Sequence, residues 1–179
     1  MIIKEKMVDF LTDLETQIKS DQELYSAVSK TGLNVQSLKE DILKREIVVP
    51  VIGPFSAGKS SLINSFLGAA YLPVGITPET SLATEIRYSK IERIECVKPD
   101  NAGKPDTYSF SDFEKIKEKA HMYEYMIVYL NNPNIEKIQP IVLVDMPGFE
   151  SPLDIHNKAI VNYIGKGVFY IVVVSIESG

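Results

Sequence analysis

The sequence has one cysteine, two histidines and more acidic than basic residues. Each scarcity excludes something. A lone thiol, Cys96, rules out an internal disulfide framework and fits a reducing compartment. Its expected place is as a small apolar filler on a strand. His121 has no second His or Cys at metal-ligand spacing, so it does not read as a ligand, and His156 has no nearby acid–base partner in the sequence. His121 is expected to be solvated or capping. His156 is expected to be structural or on a helix surface, with a switch role left open by its position after Gly148. The longest apolar stretch, Val168 to Val174, is far too short to cross a bilayer. Lys4, Glu5, Lys6 and Asp9 break up the first residues, so no secretory signal is expected there. Any membrane role is therefore expected to be peripheral. With 24 Asp and Glu against 19 Lys and Arg, the formal charge is −5, which offers no general reason to expect nucleic-acid binding.

What is present is ordinary for a globular chain: 45% of its 179 residues are hydrophobic and 24% charged, enough to bury a core in one domain with an appendage. The informative stretch is I-V-V-P-V-I-G-P-F-S-A-G-K-S-S-L-I-N-S-F-L-G, residues 47 to 68. An apolar, β-branched run ends at Gly53. A glycine-bounded loop follows, then a helix with Leu62, Ile63, Phe66 and Leu67. Gly53 to Ser60 fits G-x-x-x-x-G-K-[ST] in the strand–loop–helix setting that this phosphate-binding motif needs. Gly53 and Gly58 allow successive backbone N–H groups to turn inward on an anion. The helix N-terminus adds unsatisfied donors and the positive end of its dipole. In this reading Lys59 reaches the β- and γ-phosphates, and the Ser60 hydroxyl takes a place on Mg²⁺.

Residues 1 to 46 read as helical. Ile3, Met7, Phe10, Leu14 and Ile18 form an amphipathic stripe. Asp21 to Lys30 reads as a short continuation, Thr31-Gly32 as a stop, and Asn34 as the cap of a further helix with Val35, Leu38, Ile42 and Leu43. The stripe either packs on the rest of the chain or starts a helical bundle completed elsewhere. After the phosphate loop, Pro73, Gly75 and Pro78 forbid regular structure between Ala70 and Ser81. A loop in this place is where nucleotide switch proteins set a threonine on Mg²⁺ and the γ-phosphate, with Thr77 and Thr80 as candidates.

Leu82 to Tyr88 and Ile91 to Val97 are expected to be a pair of strands, and residues 98 to 106 a polar turn. Ser111 to about Leu130 is expected to be a helix, capped by Ser111 with Glu114 completing a capping box. The aromatic end of that helix, Tyr123 to Leu130, is core or a partner surface, with core preferred. Asn131 to Gln139 is expected to be a loop. Pro140 to Val144 reads as a buried strand ending in Asp145-Met146-Pro147-Gly148. D-x-x-G is weak alone, but after such a strand Asp145 can bind Mg²⁺ through a water and the Gly148 N–H can meet a γ-phosphate. Glu150 to Ile164 is expected to be a loop and helix, and Gly167 to Ser175 a third buried strand.

Together, G-P-F-S-A-G-K-S-S at 53–61, L-P-V-G-I-T-P-E-T at 72–80 and D-M-P-G at 145–148 resemble the N-terminal part of the dynamin-like GTPases, especially bacterial members. The resemblance covers roughly residues 45 to 179. It implies a P-loop NTPase fold of α/β class, a mainly parallel sheet with helices on both faces, apparently truncated. It divides the chain into an N-terminal stalk-like helical segment, 1–46, and part of a GTPase domain, 47–179. The cofactors implied are GTP or GDP and Mg²⁺. The phosphate contacts implied are Gly53, Phe55, Ser56, Ala57, Gly58, Lys59, Ser60 and Ser61. Ser56 resembles the loop serine that orients the attacking water, and Thr80 matches the switch threonine better than Thr77. The catalytic set implied is Ser56, Lys59, Thr80 and Gly148, and the metal set Ser60, Thr80 and Asp145. Phe55 stands where eukaryotic members carry a polar residue and bacterial ones often an aromatic. No arginine finger is assigned.

The resemblance also implies self-association through GTPase domains, a cytoplasmic location with peripheral membrane contact, and no nucleic-acid substrate. The family's guanine-reading N/T-K-x-D motif is missing from this sequence, as are two further strands of its sheet. The expectation is therefore a fragment of a longer protein, or a site completed by another chain. Two other functions stay open. One is a nucleotide-controlled interaction module with little hydrolysis, binding a protein or ribosomal RNA. The other is ATP rather than GTP specificity.

Overall fold

The computed structural model describes residues 2–73, 82–99, 102–148, 163 and 169–175. They form two compact units that divide between residues 46 and 47. The first holds three helices: α1 (Ile2–Ser20), α2 (Gln22–Lys30) and α3 (Val35–Lys44). Asp21 caps α2 by accepting the Glu23 and Leu24 N–H groups, and Asn34 caps α3 through the Ser37 N–H. Gly32, at φ +72°, supplies the left-handed turn between them. Within this unit Glu15 pairs with both Lys19 and Lys39, at 2.6 and 2.7 Å, and its carboxyl is held down to about 2 by those two ammonium groups. The Lys4 ammonium donates to the Leu43 carbonyl at the end of α3. Met7 and Phe10 of the α1 stripe are exposed, and neither α2 nor α3 has a fully buried residue.

The second unit is built on a seven-stranded sheet in the order β4-β3-β5-β2-β6-β1-β7. Its strands are β1 (Ile47–Ile52), β2 (Ala83–Tyr88), β3 (Arg93–Val97), β4 (Asp106–Tyr108), β5 (Tyr125–Leu130), β6 (Ile141–Asp145) and β7 (Ile171–Val172). Three helices accompany them: α4 (Lys59–Leu67), α5 (Phe113–Glu118) and α6 (Pro133–Ile138). β1 pairs parallel with β6 and β7, and β2 parallel with β5. β2 with β6, β3 with β4 and β3 with β5 are antiparallel. The α/β sheet expected from the sequence is thus a mixed one, parallel at β6-β1-β7 and at β2-β5 and antiparallel elsewhere. One face packs Val49, Val51, Ile86, Val128 and Leu143 against Ile63 and Leu67 of α4, Ile116 of α5 and Ile135 of α6. The other face carries Ala83, Val142, Val144 and Met146, with Tyr163 packed against them.

Pro50 sits inside β1 although proline cannot donate to a ladder. Around it, the Ile47 N–H bonds the Pro140 carbonyl on the β6 side, while the Ile52 carbonyl accepts Val173 N–H on the β7 side. Even-numbered residues of β1 therefore face β7, where pairing begins only at Val51. The missing N–H of Pro50 falls where no ladder bond is needed.

Several expectations are corrected. The span from Ser111 to Leu130 is not one helix. It holds a 3₁₀ turn (Phe110–Asp112), α5, a second 3₁₀ turn (Ala120–Met122) and then β5. Ser109, not Ser111, is the cap, in a capping box with Asp112. Tyr123 to Leu130 is core, as preferred, but as a central strand whose Met126, Val128 and Leu130 are buried. Its alternation of large apolar residues suits a pleat as well as a helix face, and insertion between β2 and β3 decides for the pleat. β2 and β3 are strands, but β5 separates them. Residues 131–139 contain α6, with Asn132 as cap. β7 is short and exposed at the sheet's outer edge rather than buried. Beside it an apolar groove of 320 Å³ is lined by Val49, Leu62, Phe66, Ile138, Leu143 and Ile171, among others. Cys96 is buried in β3, which burial expresses as a thiol pushed up to about 12, and His121 is exposed.

Asn132 joins two elements. Its Oδ1 caps α6 at the Asn134 and Ile135 N–H groups, while its Nδ2 donates to Leu67 O at the end of α4. Asn132→Ala should lower stability by about 2 kcal/mol, because it removes a cap and orphans a buried carbonyl. Urea unfolding measures this, and a midpoint equal to the parent's would contradict the role.

Candidate phosphate-binding site

The site is built at one end of the sheet, where β1, β6 and β7 finish and β2 starts. Two strands supply its backbone frame. In the β1–β6 register Val51 lies opposite Asp145, and in the β2–β6 register Thr84 does. Crevices at the carboxyl ends of such strands are where open α/β sheets bind ligands.

From β1 the chain passes through Gly53 to Gly58 into α4. Gly53 is required by a close approach: a Cβ there would lie 2.3 Å from the Val173 carbonyl oxygen beyond β7. Gly58 is left-handed at φ +93° and forms the N-cap of α4 without a side-chain bond, so the first helical N–H groups stay open to a ligand. Ser56, at φ +58°, is the non-glycine residue with positive φ among those described. A residue other than glycine held in that region within a ligand loop is strained in the manner of functional sites. Phe55 is half-exposed at the tip.

Lys59 is 8% exposed. Its ammonium folds back on the loop and donates to the carbonyls of Gly53, at 3.1 Å, and Pro54, at 2.8 Å. Burial lowers its pKa, and the nearby Asp145 carboxylate partly offsets that. These carbonyls hold the cation where a phosphate could take it over. Ser60 Oγ donates to Asp145 Oδ2 at 2.6 Å. The other carboxylate oxygen, Asp145 Oδ1, is buried with no hydrogen-bond partner among the described residues. Burial pushes the Asp145 carboxyl up to about 6, against the lowering effects of Ser60 and Lys59. Orphaned buried oxygens are costly, and a hydrated divalent cation would satisfy this one. A hydroxyl, one carboxylate and substrate phosphates are the oxygen set that Mg²⁺ takes, so the residues fit it. Among the described residues no cluster of three His, Cys, Asp or Glu offers a protein-only metal cage.

Gly148 closes the arrangement. A Cβ on it would meet Phe55 Cα at 2.8 Å and Phe55 N at 2.9 Å, so the D-M-P-G turn lies directly on the phosphate loop. The structure therefore brings together Gly53, Phe55, Ser56, Ala57, Gly58, Lys59, Ser60, Ser61, Asp145 and Gly148. Thr77, Thr80 and His156 lie outside the described residues. Two buried polar residues near the site escaped the sequence reading. Asn64 bonds the backbone of Leu72 with both ends of its amide. Glu85 accepts the Tyr163 hydroxyl at 2.7 Å and Arg87 Nε at 2.9 Å. A polar residue on an otherwise apolar helix or strand face was the available signal for both.

A mixed sheet with a glycine-bounded loop between its first strand and helix, and an aspartate paired to the helix's first serine, defines a P-loop NTPase fold. The sequence model of the dynamin family matches residues 49–178. The chain belongs to that family. It is 29% identical over 150 residues to an "Uncharacterized protein in xynA 3'region" of Caldicellulosiruptor sp. (strain Rt8B.4), covering 79% of this chain and 36% of that protein. It is 30% identical over 115 residues to "Dynamin-like protein 2" of Campylobacter jejuni subsp. jejuni serotype O:23/36 (strain 81-176), covering 61% of this chain and 18% of that one. A solved structure described as "An oligomerised bacterial dynamin pair provides a mechanism for the long-range sensing and tethering of membranes" shares the fold. Its TM-score is 0.65 at 17% identity, over 96% of this chain and 33% of that one. The chain thus spans roughly a third or less of the length of these relatives. No helix among the described residues is long and apolar enough to cross a membrane.

The raised Asp145 pKa has a signed consequence for the metal-free protein. Its folded value, about 6, exceeds the ordinary carboxyl value of 3.8, so the folded state binds the proton more tightly. Stability should then fall as pH rises from about 4 to 6, at up to about 1.4 kcal/mol per pH unit from this group, and level off above. Denaturant titrations in chelator measure the slope. Asp145→Asn should remove it from that window, and an unchanged slope would refute the assignment.

Proposed function

We propose that the chain carries the phosphate-binding half of a GTPase that binds GTP with Mg²⁺ at residues 53–61 and hydrolyses its γ-phosphate bond. The observation behind this reading is the Ser60–Asp145 hydrogen bond beside the orphaned Asp145 Oδ1, with the Lys59 ammonium folded into the same loop. Backbone N–H groups of the loop and of the α4 N-terminus cradle the phosphates. Lys59 exchanges its two carbonyl partners for phosphate oxygens. Ser60, Asp145 and Thr80 would hold Mg²⁺, which supplies positive charge against the β- and γ-oxygens. Thr80 and Ser56 position the water for in-line attack, and the Gly148 N–H meets the γ-phosphate. No side-chain base is needed where catalysis is positioning and electrostatics.

Guanine is preferred on family membership, since no base-reading motif stands in the sequence. The cellular task proposed is membrane association or remodelling through self-association of GTPase domains, without a nucleic-acid substrate. The solved relative's description as an oligomerised pair that tethers membranes supports it. Residues 1–46 would be the start of a stalk-like helical bundle, in keeping with the exposed Met7 and Phe10 of α1.

Fluorescent GTP and ATP binding with Mg²⁺, on this chain and on Lys59→Ala, tests the proposal. Expected is tight GTP binding that ATP does not compete away and that Lys59→Ala lowers by at least about a hundredfold. Binding that survives Lys59→Ala would sink this placement of the site. Effective competition by ATP would move the specificity to adenine. In turnover assays Thr80→Ala and Ser56→Ala should each slow hydrolysis about a hundredfold while binding persists. Tight binding with no turnover at high protein concentration would instead favour a nucleotide-controlled interaction module.

A further inference from the structure

Gly53 is the residue at which β1 leaves the sheet and the phosphate loop begins. Two main-chain bonds grip the chain just before it. On the β6 side the Met146 N–H bonds the Val51 carbonyl at 3.3 Å, and on the β7 side the Val173 N–H bonds the Ile52 carbonyl at 2.8 Å. The first grip comes from the D-M-P-G turn. The second comes from a residue that belongs to none of the phosphate-binding motifs.

Val173 is half-buried between the exposed Val172 and Val174, and its side chain packs on the core that β1 shares with α4. Its carbonyl oxygen lies 2.3 Å from the place a Cβ on Gly53 would take. Main chain meets main chain here, which leaves Gly53 no room to move toward β7. Gly53 in turn presents its carbonyl to the Lys59 ammonium at 3.1 Å, beside that of Pro54 at 2.8 Å. Contacts therefore run without a gap from Val173 through Gly53 to the cation of the site.

β7 itself is lightly held. It pairs with β1 only at Ile171 and Val172 among the described residues, at the outer edge of the sheet, and Phe169, Val172 and Val174 are exposed. Edge segments with few buried contacts open locally, below the global stability. A segment that opens locally and touches a ligand loop is linked to the ligand, because whatever binds the closed form suppresses the open one.

We infer that Val173 is a positioning residue for the phosphate loop. Its main chain, rather than its side chain, holds Gly53 at the end of β1 and so fixes the carbonyl on which Lys59 rests. This rests on the reading that residues 53–61 bind nucleotide phosphates. Closure of the end of β7 and occupancy of the loop are then coupled, and phosphate groups favour the form in which Val173 is bonded.

Hydrogen exchange at the Val173 amide, followed in this chain with and without GDP and Mg²⁺, tests the coupling. With GDP at about a hundred times its dissociation constant, exchange at Val173 should slow about a hundredfold, while the amides of β4 at the opposite edge of the sheet keep their rates. Unchanged exchange at Val173, or equal slowing at both edges, would overturn the inference. Variants supply a second readout. Val173→Pro removes the N–H and should lower GDP affinity about tenfold, whereas Val173→Ala keeps both main-chain groups and should stay within about twofold of the parent. Asn132→Ala, which lowers stability at the far end of α4, should also bind GDP within about twofold, and this separates positioning from stability. If Val173→Pro does not fold, the exchange measurement on the parent chain decides. Parental GDP affinity in a folded Val173→Pro, or an equal loss in Asn132→Ala, would contradict the role. A parent chain that binds no GDP would instead refute the functional reading beneath it.

Discussion

The parallel pairing of β1 with β6 is the constraint on which the rest of the second unit depends. Its register puts Val51 beside Asp145. That places the end of β6 within one hydrogen bond of the first turn of α4, where Ser60 donates to Asp145 at 2.6 Å. A slip of one residue would turn Val142 and Val144 from one face to the other and carry the carboxylate away from the serine. The apolar alternation that holds the two faces apart therefore also holds the site together. The same pairing sets Gly148 on Phe55, because only Met146 and Pro147 separate it from Asp145.

A core this apolar still encloses Asn64, Thr84, Glu85 and Asn132. Each is bonded to a main-chain group or to a partner side chain, as burial demands. Their partners have a pattern. Asn132 ties α6 to the end of α4, Asn64 ties α4 to Leu72, Thr84 bonds Leu82, and Glu85 receives the Tyr163 hydroxyl. These bonds tie the sheet and α4 to the segments that connect them, Thr84 at the phosphate-loop end and Asn132 at the far end of α4. Asp145 is the exception, with one oxygen satisfied and one not. The polar groups that are fully paired hold the frame, and the one that is not is the carboxylate that Ser60 holds by its other oxygen.

The helical unit follows a different logic. Its helices are set by caps and by the left-handed Gly32, and Glu15 links α1 to α3 through Lys39. Surface ion pairs of this kind contribute little, roughly 0–1 kcal/mol each. With Met7 and Phe10 exposed and α2 and α3 without fully buried residues, the unit owes its form to local signals more than to a core.

Local chemistry was readable along the chain. Gly53 to Ser60, the cap at Asn34, the buried Cys96 and the D-M-P-G turn are decided within a few residues, by backbone freedom, capping oxygens and apolar runs. The phosphate-loop residues, Asp145 and Gly148 could all be named that way. Tertiary structure decided what periodicity leaves ambiguous. Tyr125 to Leu130 suits a helix face or a pleat, and only a place between β2 and β3 makes it a strand. The direction of β2 against β6, the exposure of β7 and the close approach of Gly53 to Val173 depend on pairings between residues far apart in the chain. So do the partners of Asn64 and Glu85, since a buried polar side chain announces that it needs a bond but not with whom.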